Sequence, residues 1–99
     1  MGSGLHALRI AAGIVLWAVH FALVYGSTAF ACARGAAAAV PWIIGSATVV
    51  AALLAAAIAA VEWRRREAFE SWLASGLAAV AFFAIVFEGV PVLFLAPCA

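Results

Sequence analysis

The sequence predicts an all-α integral membrane protein, a bundle of three transmembrane helices that forms a single domain over residues 1–99. Hydrophobic residues make up 71% of the chain and charged residues 9%, whereas a soluble chain has about 25% charged residues. Three apolar stretches are each long enough to cross a hydrocarbon core about 30 Å thick, which requires about 20 helical residues. These observations exclude a water-soluble globular domain, and the lipid bilayer is the expected environment.

The apolar stretches define the three helices in chain order. Their apolar cores run from about Ile10 to Ala31, Val40 to Val61 and Trp72 to Leu95. We therefore predict helices over about 8–32, 40–63 and 69–95. The first helix also resembles a cleavable signal peptide, because a basic residue precedes it and small residues follow it, but its apolar run exceeds the about 7 to 15 residues of such a signal.

The two connections between the helices differ in charge. The first is short and leads to Pro41, which suits the first turn of a helix because that position needs no backbone N–H. The second, Glu62 to Glu70, must lie in water and carries a predicted cytoplasmic anchor of three adjacent arginines, Arg64, Arg65 and Arg66. Since short loops rich in arginine stay in the cytoplasm, this run and Arg9 outweigh Arg34 on the other side. We predict a cytoplasmic N-terminus and a periplasmic C-terminus.

Two ionisable side chains lie inside the predicted spans, where insertion costs about 2.5 to 3.5 kcal/mol for a charged group. His20 lies twelve residues before Cys32, and Glu88 lies ten before Cys98. If the first and third helices run in the same direction, the depths of the imidazole and the carboxylate agree within about 3 Å. We predict that the two groups meet in an intramembrane polar node. Counting by three and four along the first helix adds two residues on the same face, Trp17 and Ser27.

Three interpretations of the polar node are open. The first is a structural clasp, in which hydrogen bonds satisfy both groups inside the bundle or against a partner subunit. The second is a proton-handling or quinone-proximal role, in which the pair shares a proton. The third is a metal or haem ligand, but a zinc or copper centre needs about three or four ligands, and His6 is predicted near the opposite surface. The sequence favours the clasp and predicts no resident metal or cofactor.

Cys32 and Cys98 are the only cysteines in the chain, and the predicted topology brings both to the outer surface. A pair of cysteines in an oxidising compartment favours a disulfide. The alternatives are two thiolates that pass a soft ion such as Cu(I) to a partner, or two unpaired cysteines. A disulfide requires Cα atoms about 4.4 to 6.8 Å apart. It therefore needs the same adjacency of the first and third helices as the polar node.

A recognisable pattern is carried by four segments of the sequence: Leu16 to Phe21, Val24–Gly26, Cys32–Gly35 and the closing Pro97–Cys98. This pattern resembles small bacterial membrane proteins whose genes neighbour those of haem-copper cytochrome oxidases and their copper-insertion factors. The positions that carry the pattern are Trp17, His20, Tyr25, Cys32 and Cys98. The resemblance implies a respiratory accessory or assembly protein in the bacterial inner membrane. It attaches no catalytic role to any residue.

Composition and motifs also narrow the class of function. The net charge of +1 excludes nucleic acid as a partner, and the absence of a nucleophile, base and oxyanion-binding set argues against an enzyme. We predict a small accessory subunit or assembly factor of a respiratory membrane complex, whose partner is another integral membrane protein. The alternatives are a self-associating, pore-forming or holin-like protein, and a small proton-coupled transporter protomer that uses Glu88. Both would form homo-oligomers.

Overall fold

The computed structural model describes residues 2–94 and 98, apart from the side chains of residues 2, 3, 5, 6, 92 and 93. Over these residues the chain forms three long helices and no strand; the helices are α1 (Gly2–Ala33), α2 (Val40–Trp63) and α3 (Phe69–Phe94). Each helix is long and apolar enough to cross a membrane. The predicted all-α membrane fold is confirmed.

The helix bounds differ from the predicted ones mainly at the N-terminus. α1 begins at Gly2 rather than near residue 8, because the apolar pattern marked only the part of the helix inside the membrane and no proline interrupts the residues before it. A single turn of 3-10 helix, Ala37–Ala39, leads into α2. The predicted end of the third helix at residue 95, Pro97 and the side chain of His6 lie outside the described residues.

The backbone hydrogen bonds after α1 fix where that helix ends. Gly35 has a φ of 70°, in the left-handed region that glycine adopts without steric cost. The N–H of Ala36 donates to the carbonyl of Ala31 at 2.8 Å, and the N–H of Gly35 donates to that of Cys32 at 3.2 Å. These are the paired bonds of a Schellman motif, which satisfies carbonyls left open at the helix end. The chain then reverses into α2, whose first turn holds Pro41.

Small residues let α3 pack closely against the other helices. α3 has extensive contacts with both α1 and α2, while α1 contacts α2 less. Ala74, Ala78 and Ala81 of α3 are buried, and a Cβ added to Gly13 of α1 would lie 2.9 Å from the Cα of Ala78. The two backbones are therefore in direct contact, as small residues allow in membrane bundles. The first and third helices are neighbours, as the predicted node and disulfide require.

The bundle is thin and has two distinct ends. It measures 50 × 24 × 15 Å along its principal axes, and α1 and α3 run opposite to α2. Cys32 and Cys98 lie at one end, named here the disulfide end; Arg9 and the loop 64–68 lie at the other, named the arginine end. In the apolar part of each helix only a minority of the residues are buried within the chain, namely 17% in α1, 22% in α2 and 33% in α3. Most of the apolar surface therefore faces lipid or other helices.

Candidate functional site

The candidate site is a hydrogen-bonded triad inside the bundle, with one residue from each helix. His20 Nδ1 lies 2.9 Å from Glu88 Oε1, and His20 Nε2 lies 2.9 Å from Thr48 Oγ1. The side chain of His20 is 0% exposed and that of Glu88 is 14% exposed. Both ring nitrogens have a partner, which is what a buried imidazole requires. We name these three residues the clasp.

The close packing of the helices explains why the clasp forms. α1 and α3 are parallel neighbours, so the matching depths of His20 and Glu88 bring the two side chains together. Gly89, which follows Glu88, is buried against α2, and a Cβ at this position would overlap the side chain of Thr48. The absence of a side chain at residue 89 therefore lets α2 approach α3 closely enough for the Thr48 hydroxyl to reach the imidazole.

The geometry of the clasp is compatible with a neutral imidazole that uses both of its ring nitrogens. With an ionised carboxylate and a neutral imidazole, His20 Nδ1–H donates to Glu88 and the Thr48 hydroxyl donates to Nε2. Each ring nitrogen then has one partner. The clasp is thus a structural connection between the three helices.

Two residues predicted for the polar node lie outside the clasp. The hydroxyl of Ser27 donates to carbonyls of the preceding turn of α1, those of Leu23 and Val24, because these are the nearest acceptors for a serine in an apolar helix. Trp17 packs in an apolar cluster with Ile85. The physical reason is that an imidazole has only two nitrogens, and a carboxylate and a threonine already occupy them.

The third member of the clasp, Thr48, is missed by sequence reasoning. Its signal is a hydroxyl within a span that is otherwise almost entirely apolar. That signal is weak because threonine in a transmembrane helix ordinarily bonds its own backbone, as Thr28 does to the carbonyl of Val24 at 2.6 Å. Only the packing of α2 against α3 distinguishes these two threonines.

A second polar node connects the three helices at the arginine end. Arg9 donates to Glu62 from Nη2 at 2.6 Å and from Nε at 3.1 Å, and Nη2 also donates to Ser71 Oγ at 2.9 Å. Glu62 and Ser71 are buried, so the bidentate pair is partly withdrawn from water. In the sequence, Arg9 served only to orient the chain, and Glu62 was expected to begin the loop that lies in water; instead Glu62 belongs to α2 and is buried, because Arg9 pairs with its carboxylate. Their opposite charges at the same membrane boundary were the signal that could have paired them.

The predicted cytoplasmic anchor is exposed in the loop after α2, where all three of its members, Arg64, Arg65 and Arg66, face solvent. The guanidinium of Arg66 lies 4.7 Å from the centre of the Trp63 ring and donates to the Trp63 carbonyl at 3.2 Å. Cation–π contacts of this kind position arginine beside an interfacial aromatic ring. The structure thus places the arginine run at the end of a span, while its side of the membrane stays a prediction.

Cys32 and Cys98 form a disulfide, with Cα atoms 5.6 Å apart. Of the three alternatives, the disulfide is therefore confirmed, and in this oxidised state the pair offers no thiolate to Cu(I). The bridge connects the last turn of α1 to a residue beyond the end of α3. Within residues 2–94 and 98, no three of the histidine, cysteine, aspartate and glutamate side chains gather into a group that could hold a metal ion.

A groove next to the clasp opens between α2 and α3. Its volume is about 810 Å³, and Thr48 and Gly89 are among the residues that line it. Trp42, which is 82% exposed, also lines the groove. The groove therefore brings the edge of the clasp close to the membrane-facing surface of the bundle.

Comparison of the chain with protein-family models, with curated proteins and with solved structures finds no match.

Proposed function

We propose that this protein is a small accessory subunit or assembly factor of a respiratory membrane complex, a haem-copper oxidase in the first instance, and that it acts by packing against another integral membrane protein. The resemblance of α1 and of Pro97–Cys98 to proteins encoded beside such oxidases supports the respiratory assignment. The proposed location is the bacterial inner membrane, with the disulfide end in the periplasm. Two physical arguments support that orientation: arginine-rich loops stay in the cytoplasm, and disulfides persist in oxidising compartments.

The observation that supports the packing role is that the clasp uses its hydrogen-bonding groups inside the bundle rather than on its surface. Both nitrogens of His20 and one oxygen of Glu88 are used inside the bundle, and the outer surface of the spans is apolar. A subunit that acts by packing offers its partners shape and apolar contact. Around Gly26, on the outer face of α1, no atom lies within 4 Å of an added Cβ once the neighbouring residues and the adjacent backbone of the same helix are set aside. Such a site allows the backbone of a second helix to approach closely.

The test is purification of the tagged, full-length protein in a mild detergent, with mass spectrometry of its partners and metal analysis of the same sample. We expect oxidase subunits in stoichiometric amounts, together with iron and copper. Glu88→Gln provides a matched variant, because the amide keeps an acceptor for His20 and should retain the partner. A homo-oligomer without a respiratory partner and without metal would contradict the proposal.

A second candidate function is a proton-coupled transporter protomer. Two observations favour it: an imidazole and a carboxylate are in direct contact inside the bundle, and Thr48 connects them to the groove between α2 and α3. The test is reconstitution into liposomes with an imposed pH gradient and a trapped pH-sensitive dye. A transporter predicts a proton flux that Glu88→Gln abolishes, whereas the packing role predicts no flux from either protein. Release of a trapped neutral dye from the same liposomes would instead support a pore.

A further inference from the structure

We infer that the arginine end binds the headgroup of an anionic phospholipid in a pocket between α1 and α2. The pocket has a volume of about 350 Å³. Arg9, Glu62 and Arg65 contribute its polar groups, and Ala57 and Ile58 are among its apolar walls. A cationic group above an apolar wall fits a molecule that has an anionic head and a hydrocarbon tail. This inference concerns a different part of the molecule from the clasp and does not depend on the proposed partner complex.

The charges of the pocket leave one cation available for a ligand. Both carboxylate oxygens of Glu62 accept from Arg9, so these two charges neutralise each other. Arg65 is exposed, and within the part of the chain that the structure describes it forms no side-chain hydrogen bond, although its charge acts on Glu62 at longer range. Its neighbour Arg66 is engaged with Trp63. The three ionisable residues that line the pocket therefore sum to a charge of +1, while Glu70, which is not among them, also acts on Arg9. The side chain of Arg65 is long enough to reach a phosphodiester at this pocket.

The position of the pocket suits a lipid. Arg65 follows the end of α2 by two residues, and Trp63 and Trp72 mark the same membrane boundary, where indole rings prefer to lie. From this boundary the pocket continues along the contact between α1 and α2, which is the least extensive of the three contacts between the long helices. An acyl chain can follow this surface. Basic pockets between transmembrane helices recognise anionic lipid headgroups in this way.

The test is native mass spectrometry of the full-length, oxidised protein in detergent, with phosphatidylglycerol, phosphatidylcholine or inorganic phosphate added at equal concentration. We expect phosphatidylglycerol to be retained most. Arg65→Gln should lower its retention by at least about tenfold, the factor for the loss of one hydrogen bond to a charged group. Arg64→Gln is the matched control, because it makes the same change of charge at an exposed neighbour that does not line the pocket. We expect it to retain the lipid.

A second pair of variants tests the apolar wall without changing the charge. Ala57→Phe fills the pocket, whereas Ala56→Phe adds the same ring at an exposed neighbour outside it. Only Ala57→Phe is expected to lower the retention of phosphatidylglycerol. Circular dichroism and an intact disulfide establish that each variant is folded. Equal losses within either pair, equal retention of the two lipids, or inorganic phosphate bound as tightly as phosphatidylglycerol would overturn the inference.

Discussion

Replacing Glu88 by leucine removes the acceptor of a hydrogen bond from an imidazole that has no contact with solvent. The side chain of His20 is 0% exposed, so its Nδ1–H cannot turn to water. A buried donor without an acceptor costs about 1 to 3 kcal/mol, while measured hydrogen bonds between membrane helices average about 0.6 and reach about 1.7 kcal/mol. We therefore expect Glu88→Leu to lower the free energy of unfolding by about 1 to 2 kcal/mol.

Glu88→Gln separates the hydrogen bond from the charge. The amide oxygen can still accept from His20 Nδ1–H, so the expected loss is below about 1 kcal/mol. The assay is unfolding of the oxidised protein in mixed micelles at increasing fractions of sodium dodecyl sulfate, followed by circular dichroism. Phe87→Leu is the control, because the neighbouring side chain is 75% exposed and its replacement should leave stability unchanged.

The measured order of the free energies of unfolding of these variants tests whether the clasp has a structural role. If Glu88→Leu is as stable as the native protein, the imidazole does not need the carboxylate and the clasp has no structural role. If glutamine and leucine cause the same large loss, the charge or the proton is essential rather than the hydrogen bond. That result would move the interpretation of His20 from packing to proton handling.

Three further changes test other contacts. Thr48→Val removes the second partner of the imidazole and is expected to lower the free energy of unfolding by about 0.6 kcal/mol, in the same assay; no change would mean that this hydrogen bond does not form. Gly13→Ala places a Cβ 2.9 Å from the backbone of α3 and is expected to lower the free energy of unfolding by about 1 to 3 kcal/mol. Gly26→Ala, which has open space around it, is expected to raise it by up to about 1 kcal/mol. The reverse order would contradict the packing of α1 on α3. Replacing Cys32 and Cys98 by serine removes a disulfide across a sequence separation of 66 residues. The expected loss in the free energy of unfolding is about 4 kcal/mol in water, and less in a bilayer that already restrains the chain. Maleimide is expected to label the native protein only after reduction, and labelling before reduction would contradict the bridge.

The fold and two of the contacts between helices follow from positions along a single axis, the membrane normal. Apolar length predicts three membrane helices, and distance from the membrane surface predicts that His20 meets Glu88 and that Cys32 meets Cys98. Each of these inferences needs only the rise of 1.5 Å per residue and the direction of the helices. Such one-dimensional arithmetic is reliable here because the bilayer aligns every helix with one direction.

The remaining contacts depend both on the depth of each residue in the membrane and on how each helix is rotated about its own axis. Ser27 shares a helix face with His20, but seven residues place it about 10 Å further along the axis, beyond the reach of a hydrogen bond. Thr48 and Arg9 show the opposite case, since their depths were accessible but their partners depend on how each helix is turned about its axis. Glycine and alanine contacts set that rotation, and their pattern in an alanine-rich chain does not single out one arrangement.

The bridge between Cys32 and Cys98 joins the first long helix to a residue beyond the last one, and it can therefore close only after the third helix has been threaded alongside the first. In newly synthesised protein, the fraction that is oxidised thus reports completed insertion. The same covalent circle encloses the loop 64–68. A protease that cuts this loop releases no fragment on a non-reducing gel, and reduction then separates the molecule into two pieces.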